Sequence, residues 1–160
     1  MKGTLEQANA EWWVRSVTVF VLSLACVGCC GPLPEDLPAL VVLLDCSSDM
    51  KVKHCAVKRI QSAYGAPGLL QTLGHENACI RAEAAHGLMK FPEPKVIAAL
   101  VRACRDPDPH VRSRAAWSLG EVGGTDVLPV LDELAKDSKD FVAMSARDAA
   151  QAVRSRHPQS

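Results

Sequence analysis

"DPDPHVRSRAAWSLGEVG", residues 106 to 123, decides how the chain is to be read. Asp108 can accept a hydrogen bond from the free amides of a helix's first turn, and Pro109 suits the first helical position, where its missing N–H is harmless. From Val111 onward, Ala115 and Leu119 follow at intervals of four, so one helical face is small and apolar. The run then descends into glycine. The stretch is a turn, a helix start and a helix.

Worn copies of it recur. With Val111 as the anchor, equivalents stand at Val52, Ile80 and Val142, separated by 28, 31 and 31 residues. Capping residues precede three of them at Asp49, Asn77 and Asp108; the fourth has Lys139 there, with Asp140 or Ser138 available for a shifted start. Four and eight residues after each anchor come Ala56 and Ile60, Ala84 and Leu88, Ala115 and Leu119, and Ala146 and Ala150. Alanine at such places lets helix axes approach closely. Eleven residues before each anchor lies another aliphatic, Val41, Leu69, Leu100 or Leu131, within "LPALVVLLDC", "PGLLQTLG", "VIAALVRACRD" and "VLPVLDELAKD". Each unit is two short helices joined by a tight turn. One hairpin cannot bury both apolar faces, whereas a stack of four gives each internal unit two neighbours. The expected fold is all-α: an α-solenoid of about four helical hairpins, eight helices in all.

These phrases resemble the HEAT repeat, in particular its phycobilisome-lyase-like variant, which runs Asp, turn, Val-Arg, paired Ala, Leu-Gly. The resemblance covers residues 36 to 155 and is clearest in the opening stretch and in "ENACIRAEAAHGLMKF". It implies a ladder of Asp and Arg between neighbouring repeats. Asp106 and Arg112 match both places, Arg81 and Lys53 the basic place, and Asp137 the acidic one. Ser47, His75 and Ala143 interrupt it. Arg59 puts a long charge where the other copies carry Gly87, Ser118 and Ala149. The resemblance also implies that second helices line a concave face, where residues three and six places after each anchor look outward. The partner-binding candidates on that face are Lys58, Glu83, His86, Arg114 and Trp117. Trp117 stands where the other copies carry Lys, His and Asp; it is either a binding anchor or packs across the groove between repeats.

At 160 residues with 48% hydrophobic and 22% charged content, the chain suits one globular domain. Acidic and basic side chains balance at 18 each, which leaves no overall field for a nucleic acid backbone. The first thirty-one residues form a separate object. "VTVFVLSLACVGCCG" (17 to 31) carries no charge and is short for a permanent membrane span. The "LSLA" before Cys26 resembles a bacterial lipobox, which implies cleavage after Ala25 and lipidation of Cys26, with Cys29 as a second candidate. An uncleaved single-pass anchor is the other reading. The expected organisation is a signal or anchor at 1–31, a repeat domain at 32–155 and a disordered tail at 156–160.

Chemistry is sparse by comparison. HEAT-type hydroxylases hold two irons with repeated His-Glu pairs beside the anchor; here Ala82 takes the His place and the one "HE", His75 and Glu76, falls in a turn. No metal and no cofactor is expected. His54, His86 and His110 are scattered singly, and no nucleophile and base stand together. Of the cysteines, Cys46 and Cys55 lie within one hairpin, while burial as small apolar side chains is the default for those in helices. The expectation is therefore a non-catalytic scaffold, not an enzyme, exported and membrane-anchored, that binds a protein or peptide on the second-helix face. The alternative is a phycobilin-lyase-like enzyme or accessory subunit that binds a tetrapyrrole.

Overall fold

A computed structural model describes residues 33–158. The signal or anchor expected at 1–31, with Cys26, lies outside those residues. Among the described residues there are eight α-helices and no strand. They pair as α1 (Leu37–Val42) with α2 (Met50–Ala63), α3 (Gly65–Thr72) with α4 (Ala78–Gly87), α5 (Pro94–Ala103) with α6 (Pro109–Val122), and α7 (Leu128–Leu134) with α8 (Asp140–Arg156). Second helices pack successively, α2 on α4, α4 on α6 and α6 on α8, and each first helix lies against its own second helix. None is long and apolar enough to cross a membrane.

The anticipated caps close three helix starts. Asp49 accepts from the Lys51 amide at 2.7 Å, Asn77 from Cys79 at 2.9 Å and Asp108 from His110 at 2.8 Å. α8 has no side-chain cap; it begins at Asp140, and the Lys139 amide donates back to Asp137 at 2.9 Å. Pro109 occupies the first turn of α6 as expected. Between α2 and α3 the chain turns at once, with Gly65 at φ +61°, a backbone region that a side chain would penalise.

Three of the four anchors, Ile80, Val111 and Val142, are buried, as are Leu69, Leu100 and Leu131 of the facing helices. The first unit departs from the pattern. Val41 and Val52 are half-buried, and Leu40 and Leu44, one turn apart, take the core positions instead. Among the described residues α1 packs chiefly against α2, and that contact sets its register. Arg59 is accommodated in the same unit, its guanidinium reaching out to Glu35 at 3.3 Å. In the inner units its counterparts must be small. A Cβ on Gly87 would stand about 3.0 Å from Val57, and Ser118 is fully buried, donating to the Ala85 carbonyl at 2.8 Å.

The charged ladder is present between the inner units. Arg81 grips Asp106 through two bonds of 2.8 Å while donating to the His75 and Glu76 carbonyls of its own turn. Arg112 does the same one unit on, reaching Asp137 at 2.7 and 3.1 Å and the carbonyls of Asp106 and Pro107. Burial would raise the Asp106 carboxyl, but the Arg81 hydrogen bond, the Asp108 amide and the two nearby guanidiniums hold it below the ordinary value. Asp137 is lowered chiefly by its bond to Arg112. Arg112→Ala should therefore cost about 2 kcal/mol, because it strands a largely buried carboxylate and two turn carbonyls. Arg112→Lys should recover less than half, since an ammonium cannot make the paired bond. Denaturant unfolding of the two variants checks both figures.

At the first interface, where His75 stands opposite Lys53 in place of an acid, other links stand. Cys46 is bonded to Cys79, 33 residues on, and the Asn77 side-chain amide donates to Asp45 at 2.6 Å. Cys46 thus pairs with Cys79 and not with Cys55 of its own hairpin, and the bridge joins two units. Cys55 is disulfide-bonded as well. Cys104 alone fits the default of a buried thiol; burial pushes it up to about 12, which leaves it inert as a nucleophile at neutral pH.

Candidate functional site: a groove across the second helices

Positions three and six after each anchor lie on one face of each second helix, and stacking brings these faces side by side. The result is a groove of about 500 Å³ crossing α2, α4 and α6. Its volume is within the range of ligand sites. Lys58 enters it from α2, Glu83 and His86 from α4, and Arg114 from α6. Met50, Val57 and Met89 supply apolar surface, and Lys90, just past α4, adds a further cation. Four of the five sequence candidates therefore meet in one place.

Trp117 does not line the groove. It sits one turn beyond Arg114 on the same face of α6 and is 47% exposed. Met144, on α8, is also exposed on the second-helix series. Met50, Met89 and Lys90 were missed by the sequence reading. Met50 opens α2 and Met89 and Lys90 form the short 3-10 turn after α4, so none falls at the repeating outward positions.

His86 is the unusual member. Its Nδ1 is buried without a hydrogen-bond partner. Burial lowers its pKa, Arg114 and His54 lower it further, and Glu83 opposes them. The ring is therefore neutral at pH 7 and holds unspent hydrogen-bonding capacity at the groove wall.

Metal ligation was weighed through His75 and Glu76. His75 Nδ1 accepts from the Asn77 amide at 3.0 Å and the Glu76 carbonyl accepts from Arg81. Among the described residues no three His, Cys, Asp or Glu side chains are grouped to hold a metal ion, so these residues do not fit a di-iron centre.

Stacked two-helix units with an Asp–Arg ladder and a groove on the second helices define an α-helical repeat protein. The sequence matches the HEAT repeats family over residues 66–151, and the chain belongs to that family. A deoxyhypusine hydroxylase of Drosophila pseudoobscura pseudoobscura is 28% identical over 100 residues, which are 61% of this chain and 33% of that protein. The chain thus spans about a third of the length of the curated relative it matches. The expectation that this chain is not an enzyme is overturned by this match. Packing residues that build a repeat stack occur equally in a protein named for catalysis, so a HEAT-type sequence gives no ground for excluding activity.

Proposed function

We propose that the protein is a helical-repeat scaffold that holds a peptide segment of a protein partner in the groove formed by Lys58, Glu83, His86 and Arg114, with Trp117 as an anchor at its end. The observation that carries this reading is the convergence of those four side chains, with exposed methionine and tryptophan beside them, on one face of three consecutive units. Trp117 is half-exposed, and such residues dominate binding energy where they meet a partner. Trp117→Ala should weaken partner binding by about 2 kcal/mol beyond any loss of stability, which urea unfolding of the same variant measures. Selection of a displayed peptide library on the purified protein supplies the binding partner. Selected peptides that bind Arg114→Glu and Trp117→Ala as tightly as wild type would refute the groove.

We place this scaffold outside the cytoplasm, attached to a membrane through lipidated Cys26. The uncharged run 17–31 with "LSLA" before Cys26 supports this, and so does the Cys46–Cys79 bridge, since disulfides persist in oxidising compartments. Wild-type protein should incorporate radioactive palmitate and Cys26→Ala should not. Equal labelling of the two would remove the assignment.

A further inference from the structure

The groove carries a charge bias that the whole chain does not. Acidic and basic side chains are equal in number over the sequence, yet Lys58, Lys90 and Arg114 line this groove against a single carboxylate, Glu83. Among the described residues the ion pairs use other arginines: Arg59, Arg81, Arg105, Arg112 and Arg154 each hold a carboxylate. Lys58, Lys90 and Arg114 take part in none of those pairs. Cations gathered round a concave surface focus a field into it and raise the local concentration of an oppositely charged partner.

Apolar surface alternates with this charge. Val57 forms part of the floor, and Met50 and Met89 are flexible side chains that adapt to the shape of an inserted group. Met50 is 65% exposed, and Trp117 continues the apolar surface past Arg114. The neutral His86, with its unpartnered Nδ1, offers a hydrogen bond without adding to the repulsion between neighbouring cations.

We infer that the segment held in this groove is an acidic peptide: several Asp or Glu side chains flanking one large apolar residue, the carboxylates meeting Lys58, Lys90 and Arg114 and the apolar side chain lying on Val57 and the methionines. The inference rests on the groove being the binding site and adds the chemistry of the occupant. A nucleic acid would satisfy the cations as well, but the groove offers methionines where base stacking needs aromatic faces, and the exposed Trp117 and Phe141 do not line it.

Fluorescence anisotropy with three labelled peptides of equal length tests this: Glu- and Asp-rich around a central Leu-Met, the same with Gln and Asn, and the same with Lys. The acidic peptide should bind wild type at least tenfold more tightly than the amide peptide, and its affinity should fall with added salt. Lys58→Glu and Arg114→Glu should each weaken it about tenfold, and Glu83→Gln should tighten it. All three sites are on the groove surface, and Lys90→Glu provides a fourth if either charge reversal fails to fold. Equal binding of the acidic and amide peptides, with both lost in Arg114→Glu, would overturn the acidic preference and leave the groove in place. Absence of binding by all three peptides would overturn both. A single-stranded oligonucleotide that binds more tightly than the acidic peptide and is lost in the same variants would replace the peptide with a nucleic acid.

Discussion

Gly120→Val is expected to lower stability by about 3 kcal/mol. α6 and α8 touch at this residue more closely than any side chain permits. A Cβ on Gly120 would lie 2.8 Å from the Ala149 Cβ and 2.9 Å from its Cα, both inside contact distance and the second on rigid backbone. Replacing a helix-interior glycine returns under about 1 kcal/mol of propensity, which is too little to offset the forced separation of two helices. The C-terminal end of α6 is also tied to α8 here. Arg156 donates to the carbonyls of Gly120, Glu121 and Gly123, and spreading the helices would loosen those bonds together. Urea unfolding of Gly120→Val beside Gly74→Ala, where a Cβ would stand 3.5 Å from the Gln71 carbonyl oxygen, separates packing from generic glycine loss. A Gly120→Val protein within about 1 kcal/mol of wild type would mean that the helices are not in this contact.

Removing the Cys46–Cys79 bridge with Cys46→Ser and Cys79→Ala should cost about 3.5 kcal/mol, the chain-entropy value for a loop of this length. The physical reason lies at the first interface between units. The inner interfaces are each held by a two-bonded Arg–Asp pair, whereas the first has Lys53 and His75 at the ladder places and relies on the bridge and on the Asn77–Asp45 bond. Loss of the bridge should therefore fray the first unit before the rest. Hydrogen exchange should rise first in Leu37–Val42 and Met50–Ala63, with α6 and α8 still protected. A reductant should lower the melting temperature of wild type, and the double variant isolates this bridge from that of Cys55. Protection of α1 and α2 that does not change in the double variant would show that the bridge carries no load.

The repeat was legible because its signals are local. Asp49, Asn77 and Asp108 cap whatever helix follows them, and a small or aliphatic residue at every fourth place marks the face on which a neighbouring helix lies. The ladder was legible in part for the same reason, with Arg81, Asp106, Arg112 and Asp137 at fixed offsets within a repeat. The first unit was not. Val41 and Leu40 are equally apolar in sequence, and the choice between them depends on how α1 settles against α2. The Cys46–Cys79 pairing was hidden too, since spacing along the chain does not report proximity across units. The expectation of no enzyme rested on the absence of a visible catalytic pair, which is a statement about short motifs, whereas the similarity to a protein named as a hydroxylase extends over 100 residues.

For the candidate site, the outward positions named Lys58, Glu83, His86 and Arg114 in advance, because helical periodicity fixes which residues share a face. Met50, Met89 and Lys90 follow no repeat offset, and they entered the groove only through the position of α2's first turn and the 3-10 turn after α4.

The sequence by itself determined the unit: two helices, their caps, their apolar faces and the outward positions of the second helix, all set by interactions between residues close along the chain. The tertiary structure alone decided which cysteine faces which, how the end unit is packed, and that cations from three separate units gather round one groove. Those are relations between residues far apart along the chain, 33 places for Cys46 and Cys79, and they exist only once helix has been laid on helix.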